Sequence, residues 1–321
     1  MQRILIIRLS SIGDIVLTTP VIRCVKKQIP DVELHYLVKK QFRTVIEHNP
    51  YIDKIHLFDG DLRKTIRELK DENFDFIVDL HKNIRSIRIK CALKRPSDSF
   101  PKLNYEKWLL VNFKINRLPD IHIVDRYFEA VRSLQVKNDG LGLDYFIAPE
   151  DEINASHLPE GFFENYTVLV IGGAHQTKQI PVEKSGEICQ SLNNPVVICG
   201  GTTDHENGES IMRLTGGQGV FNACGKFNIG QSASLIRQAK QIITSDTGMM
   251  HIAAAFQKNI ISLWGNTVPQ FGMTPYMPQH PEHSKILEIK GLSCRPCSKI
   301  GFKKCPKNHF RCMKDIAINL H

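Results

Sequence analysis

Three stretches of this chain set residues able to do chemistry where a strand gives way to a helix. In IIRLSSIGDIVLTTP (6–20) an apolar run ends in two serines, and Asp14 follows Gly13. A carboxylate there can take a proton as a general base. Ser11 and Asp14 also have capping-box spacing, and Thr19-Pro20 offers a second helix start, so cap and catalyst both stand. IITSDTGMMHIAAA (242–255) turns from strand to helix through Asp246-Thr247-Gly248. Free N–H groups at the helix start, the Thr247 hydroxyl and His251 one turn in make an anion site. The plainer reading, a cap by Asp246 or Thr247, explains one residue and not the polar opening of an apolar helix. GGAHQTKQIP (172–181) carries Thr177 and Lys178 between strand-ending glycines and Pro181, where a lysine can neutralise a departing diphosphate.

The elements that must position these residues alternate. Apolar runs at 3–8, 32–38, 54–58 and 74–80 predict buried parallel strands, with helices around 20–28, 41–48 and 62–72. Residues 96–120 break the rhythm, and a helix at 122–135 with a strand near LDYFIAP closes the first domain. The acidic stretch 149–165 reads as a linker. The alternation then restarts: strands at TVLVIGG, PVVICGG, GVFNACG, QIITS and NIISLWG, helices at 182–192, 204–215, 229–240 and through GMMHIAAAF. Two α/β domains with parallel sheets follow, residues 1–155 and 156–321, with ligands expected at the carboxyl ends of the strands.

Composition narrows the function classes. Lysine and arginine outnumber acids 42 to 33, and the excess concentrates between Lys82 and Arg117, where only Asp98 and Glu106 oppose ten cations. Such a block suits phosphates, nucleic acid or an anionic membrane face, or is a solvated surface. No G-x-G-x-x-G follows the first strand and no phosphate-loop motif occurs, which disfavours a nicotinamide or flavin enzyme. Asp59 and Asp61 in FDGD resemble a metal-binding pair, but a solvated loop accounts for them. Cys294, Cys297, Cys305 and Cys312, with His309 among them, offer four ligands for a structural zinc, against packed reduced thiols. The start of the chain lacks the features of a secretion signal, so a cytoplasmic protein is expected. A zinc-bearing, basic nucleic-acid module would use the same charge and cysteines, yet it leaves the polar strand-to-helix turns unexplained and has no aromatic stacking platform.

Together ILIIRLSSIGDIVLTTPVI, NPYIDKIHLFD, IVDLHKNIRS, SDTGMMHIAAA with ISLWGNTVP, and the terminal CRPC…C…CM resemble glycosyltransferase family 9, the bacterial lipopolysaccharide heptosyltransferases. The resemblance implies a GT-B fold, two Rossmann-like domains facing across a cleft, with room for the last helix to return to the first. It implies inverting transfer of heptose from ADP-heptose to the lipid A–Kdo inner core, with no cofactor or metal. The acceptor would be an anionic, lipid-linked saccharide met at the inner membrane face, and nucleic acid would not be a partner. By the same resemblance Asp14 is the general base, and Gly13, Asp79, His81 and Arg85 line the acceptor side. Lys178 meets the donor diphosphate, beside Thr177, Asp246, Thr247, Gly248 and His251, and Glu206 holds the ribose. A transferase using another nucleotide sugar is the alternative.

Overall fold

A computed structural model describes residues 2–163 and 165–318 and divides the chain into two compact units. The first comprises the chain up to Lys102 with Ile121–Phe146; the second comprises Leu103–Asp120 with the chain from Ile147 on.

In the first unit, strands β1 (Gln2–Ile7), β2 (Val32–Lys39), β3 (Lys54–Phe58), β4 (Phe76–Asp79) and β5 (Ser97–Ser99) form one sheet in the order β3-β2-β1-β4-β5. Every pairing is parallel. The central strand is the most apolar run, because both its edges and both its faces are covered: Ile4 to Ile7 are fully buried. Helices α1 (Ile12–Val16), α2 (Thr19–Gln28), α3 (Leu62–Asp71) and α4 (Ile84–Leu93) follow the first, third and fourth strands. The FDGD acids are structural: Asp61 accepts the Arg63 and Lys64 N–H groups as the cap of α3, and Asp59 pairs with Lys64 at 3.0 Å.

The next two helices, α5 (Asn104–Phe113) and α6 (Ile123–Phe128), part company. While α6 belongs to the first unit, α5 lies in the second, contrary to a first domain running to 155. Its Leu110 packs against Val268 and Phe271, and Lys114 Nζ donates to the Pro296 carbonyl at 2.7 Å. The acidic stretch from 149 is likewise no free linker. Asp151 accepts from Asn228 Nδ2 at 2.6 Å, and Glu152 accepts from Ser234 and Arg237. LDYFIAP forms no strand. It is held by side chains instead, with Asp144 on Arg23 and the Asp144 N–H donating to Thr19 Oγ1.

The second sheet contains β6 (Thr167–Val170), β7 (Val196–Cys199), β8 (Val220–Asn222), β9 (Gln241–Ser245), β10 (Asn259–Trp264) and β11 (Ser284–Glu288). Its order is β11-β10-β9-β6-β7-β8, again wholly parallel. Counted within the unit this is 6-5-4-1-2-3, the doubly wound dinucleotide-binding order; the first sheet repeats it one strand short. Helices α7 (Val182–Gln190), α8 (His205–Leu214), α9 (Ile229–Gln238) and α10 (Gly248–Ala255) supply the crossovers. The closing helix α11 (Arg311–Lys314) stays with this unit, Met313 and Ile316 being part of its core. No described helix is long and apolar enough to cross a membrane.

Candidate functional site

A doubly wound sheet opens at its switch point, where consecutive crossovers leave toward opposite faces. In the first unit that point lies beyond β1 and β4, in the second beyond β6 and β9. The residues singled out from the sequence fall mostly at these two places.

Beyond β1 the chain enters α1 at once, and Asp14 sits in its first turn. Its Oδ2 accepts from the Ser11 N–H at 3.2 Å and the Ser11 hydroxyl at 2.8 Å, while Oδ1 meets Arg8 Nη2 at 2.5 Å. Arg8 is the partner that sequence reasoning missed; a charged residue inside the run IIRL was the available signal. Its guanidinium donates to the carbonyls of Ser10 (2.8 Å) and Leu80 (2.5 Å) and to the Tyr127 hydroxyl (3.0 Å). Burial opposes its charge, yet Asp14 and the Tyr127 and Tyr36 hydroxyls more than offset this and lift its pKa above the ordinary value. Gly13 is buried beside the acid, its carbonyl accepting from Leu17.

Beyond β4 the structure separates the three expected acceptor residues. Asp79 is fully buried and spent on the fold: it accepts from the His81 and Lys82 N–H groups and Ser86 Oγ, and pairs with Lys90 at 3.2 Å. His81 is half-buried, and its Nδ1 is shielded from solvent without a hydrogen-bond partner. Burial, reinforced by Arg8 and Lys102, pushes this imidazole down to about 4, so at neutral pH it is uncharged. Arg85 is exposed and helps line a cavity of about 690 Å³ with Lys39, Lys40 and Asp59.

In the second unit Lys178 Nζ lies 2.7 Å from Asp246 Oδ2, which also accepts from Thr267 Oγ1 at 2.8 Å. No side chain caps α10, and the Thr247 hydroxyl meets Thr244 Oγ1 at 3.2 Å. Gly248 opens that helix, and His251 is buried within its first turns. Thr177 is a stitch rather than a ligand: its hydroxyl accepts the Phe302 N–H at 2.8 Å. Glu206 is exposed in the first turn of α8, beyond β7. Near it, buried Asp204 accepts from the Gly201 N–H and Gln179 Nε2. Gly172 needs its bare Cα, since a Cβ there would stand 2.6 Å from Asp204 Oδ2.

The two ion pairs are inverted copies. Arg8 is the more buried member of the first (side chain 9% exposed against 24% for Asp14), and Asp246 of the second (10% against 19% for Lys178). The first switch point therefore offers an acid, the second a cation.

The terminal cysteines form no preassembled metal cage. Cys294 Sγ lies 3.8 Å from His309 Nε2, and Cys312 is buried with its thiol pushed up to about 12 by burial. Among the described residues, three donor atoms within 4.8 Å of one another occur at His35–His56–Glu72 and His280–Glu282–His283, not among the cysteines.

The family model for glycosyltransferase family 9 (heptosyltransferase) matches residues 62–304. The chain is similar to lipopolysaccharide heptosyltransferase 1 of Campylobacter coli, 22% identical over 83% of this chain and 84% of that one. It resembles the crystal structure of a family 9 glycosyl transferase from Veillonella parvula, with a TM-score of 0.70, 25% identity, and coverage of 89% and 85%. The Escherichia coli ADP-heptose lipopolysaccharide heptosyltransferase II gives the same TM-score of 0.70 at 18% identity, covering 98% of each chain.

Proposed function

Because this chain belongs to glycosyltransferase family 9, and is a glycosyltransferase of the GT-B fold class, we propose that it moves heptose from ADP-heptose to the lipid A–Kdo inner core of lipopolysaccharide. Relatives named lipopolysaccharide heptosyltransferase support the acceptor, and an ADP-heptose enzyme with the same fold supports the donor. The inverted pairing of the two switch points carries the reading. An acceptor hydroxyl attacks the anomeric carbon as the bond to the diphosphate breaks. Its proton passes to the Asp14 carboxylate, and ADP leaves. Asp14 is the more exposed member of its ion pair, as a base must be, and Arg8 holds its carboxylate in place. Lys178 and the opening N–H groups of α10 neutralise the leaving diphosphate. Glu206 is the exposed acid available for the ribose hydroxyls. His81, with its unpartnered Nδ1, and exposed Arg85 serve the acceptor. The displacement uses no metal or cofactor.

Thermal unfolding against ADP, UDP, GDP and ADP-heptose tests the donor. ADP and ADP-heptose should raise Tm most; a larger shift with another nucleotide would transfer the reading to a different sugar donor.

The acceptor's lipid brings the enzyme to an anionic membrane face. Exposed Tyr105, Trp108 and Phe113 on α5, followed by exposed Lys114 and Arg117, support this with interfacial aromatics beside cations. Binding to anionic vesicles should weaken with added salt, and binding indifferent to salt or to lipid charge would remove the claim.

A further inference from the structure

On one face of the first sheet, at mid-strand in β2 and β3, lies a histidine cluster that glycosyl transfer does not use. His35 on β2 and His56 on β3 project from the same face, since the register sets His35 opposite Lys54 and Leu37 opposite His56. Their rings stack with centroids 5.1 Å apart, and His35 Nδ1 lies 2.9 Å from His56 Nε2. Glu72, which ends α3, brings Oε2 to 4.0 Å from His35 Nδ1. One donor atom from each of the three lies within 4.8 Å of the others.

The surroundings aim these atoms inward. The free oxygen of each nearby carboxylate is turned to an imidazole, while the other is held by a cation. Glu33 Oε2 takes Arg3 Nε at 2.7 Å and Glu72 Oε1 takes Lys54 Nζ at 2.5 Å. Glu33 Oε1 then stands 3.1 Å from His35 Nε2. A carboxylate only accepts, so the His35 proton sits on Nε2 and the lone pair of Nδ1 faces His56 and Glu72. Phe74 meets both rings edge-on, at 5.1 and 6.0 Å, and fixes their planes. His35 is fully buried, but His56 and Glu72 are half-buried and give an ion a way in.

We propose that His35, His56 and Glu72 bind a divalent transition-metal ion of the zinc class, with Glu33 as the outer partner that orients His35. Two imidazoles and one carboxylate are a zinc-type donor set that leaves a fourth position for water. Tetrahedral ligands about 2.0 Å from zinc stand about 3.3 Å apart. The 2.9 and 4.0 Å spacings bracket that value, so small side-chain shifts suffice. The ion replaces the proton shared between the two histidines and clamps β2, β3 and the end of α3 together. Its role is structural, independent of the transfer reaction.

Thiolates also ligate such ions, so the test must tell nitrogen and oxygen ligands from sulfur. Chelator-stripped protein is titrated with Co²⁺ and, separately, Zn²⁺. A visible Co²⁺ ligand-field spectrum is expected in a Cys294→Ser/Cys297→Ser/Cys305→Ser/Cys312→Ser background, without thiolate charge-transfer absorption. Zn²⁺ should raise Tm in that background, and His56→Ala should abolish both effects. Glu33→Gln should weaken Zn²⁺ binding about 10- to 100-fold. Should His56→Ala not fold, Glu33→Gln still decides. Metal binding that disappears with the cysteines, or that ignores both substitutions, overturns the site.

Discussion

The acid–cation pairs at the two switch points use the same chemistry with opposite members buried. In the first unit Arg8 is locked by two carbonyls and a tyrosine hydroxyl, and Asp14 is the member left toward solvent. In the second, Thr267 and Lys178 hold Asp246, and Lys178 is the member more exposed. A buried ion must be compensated where it stands, so the buried partner is committed to the fold and the exposed one to whatever arrives. The contrast teaches that a salt bridge at such a site need not be structural. Which end is anchored decides whether it presents a proton acceptor or an anion ligand.

The largest effect expected from this contrast is on turnover. Asp14→Asn keeps the size and most hydrogen bonds of the side chain but removes the base, so kcat should fall about 100- to 10,000-fold. ADP affinity, which depends on the second unit, should stay unchanged. Steady-state kinetics with calorimetric ADP binding reads both. Undiminished turnover, or an equal loss of ADP binding, breaks the assignment of the acid to proton transfer.

The converse substitution should act on binding. Lys178→Met keeps the aliphatic stem and deletes the charge, leaving buried Asp246 without its cation near the incoming diphosphate. ADP binding should weaken about 10- to 100-fold, in line with ~1.5–3 kcal/mol for a hydrogen bond to a charged group. Lys178→Arg should recover part of it. If Lys178→Met binds ADP as tightly as the parent chain, the second pair is structural and the comparison fails.

Both exposed members, Asp14 and Lys178, were legible in the sequence, because each follows an apolar strand at a turn. Their anchors were less so. Arg8 meets Leu80 and Tyr127, and Thr267 meets Asp246, through contacts that span 21 to 119 positions along the chain. The doubly wound pattern was readable because buried parallel strands are unbroken apolar runs. The edge strand β11, half-buried and reading SKILE, lacks that run and gave no signal. Asp79 and Thr177 looked like site residues since they flank the turns, but their polar atoms are consumed holding those turns closed. The boundary error at 103–120 has the same origin: Leu110 and Lys114 find partners some 160 to 180 positions further on.

The smallest effect concerns acid, and it sharpens the contrast between the units themselves. In the first unit His56 and His81 both titrate near 4, against an ordinary value of 6.5. Between those values the unfolded chain binds protons that the folded unit does not. Stability therefore rises with pH across this window, and is lost as pH falls from 6.5 toward 4. Glu33 and Asp139, each held near 2 chiefly by arginine hydrogen bonds, continue the loss below about 4.5. Asp144, which burial raises, works the other way and softens the slope. In the second unit, Glu282, whose carboxyl is lowered chiefly by a backbone hydrogen bond, is exposed and contributes little. In metal-stripped protein, hydrogen exchange should accelerate in β2, β3 and β4 before β6, β9 and β10 as the solution is acidified. His56→Gln with His81→Gln should flatten the difference, whereas acid loss that begins in the second sheet would show that these two histidines do not govern it.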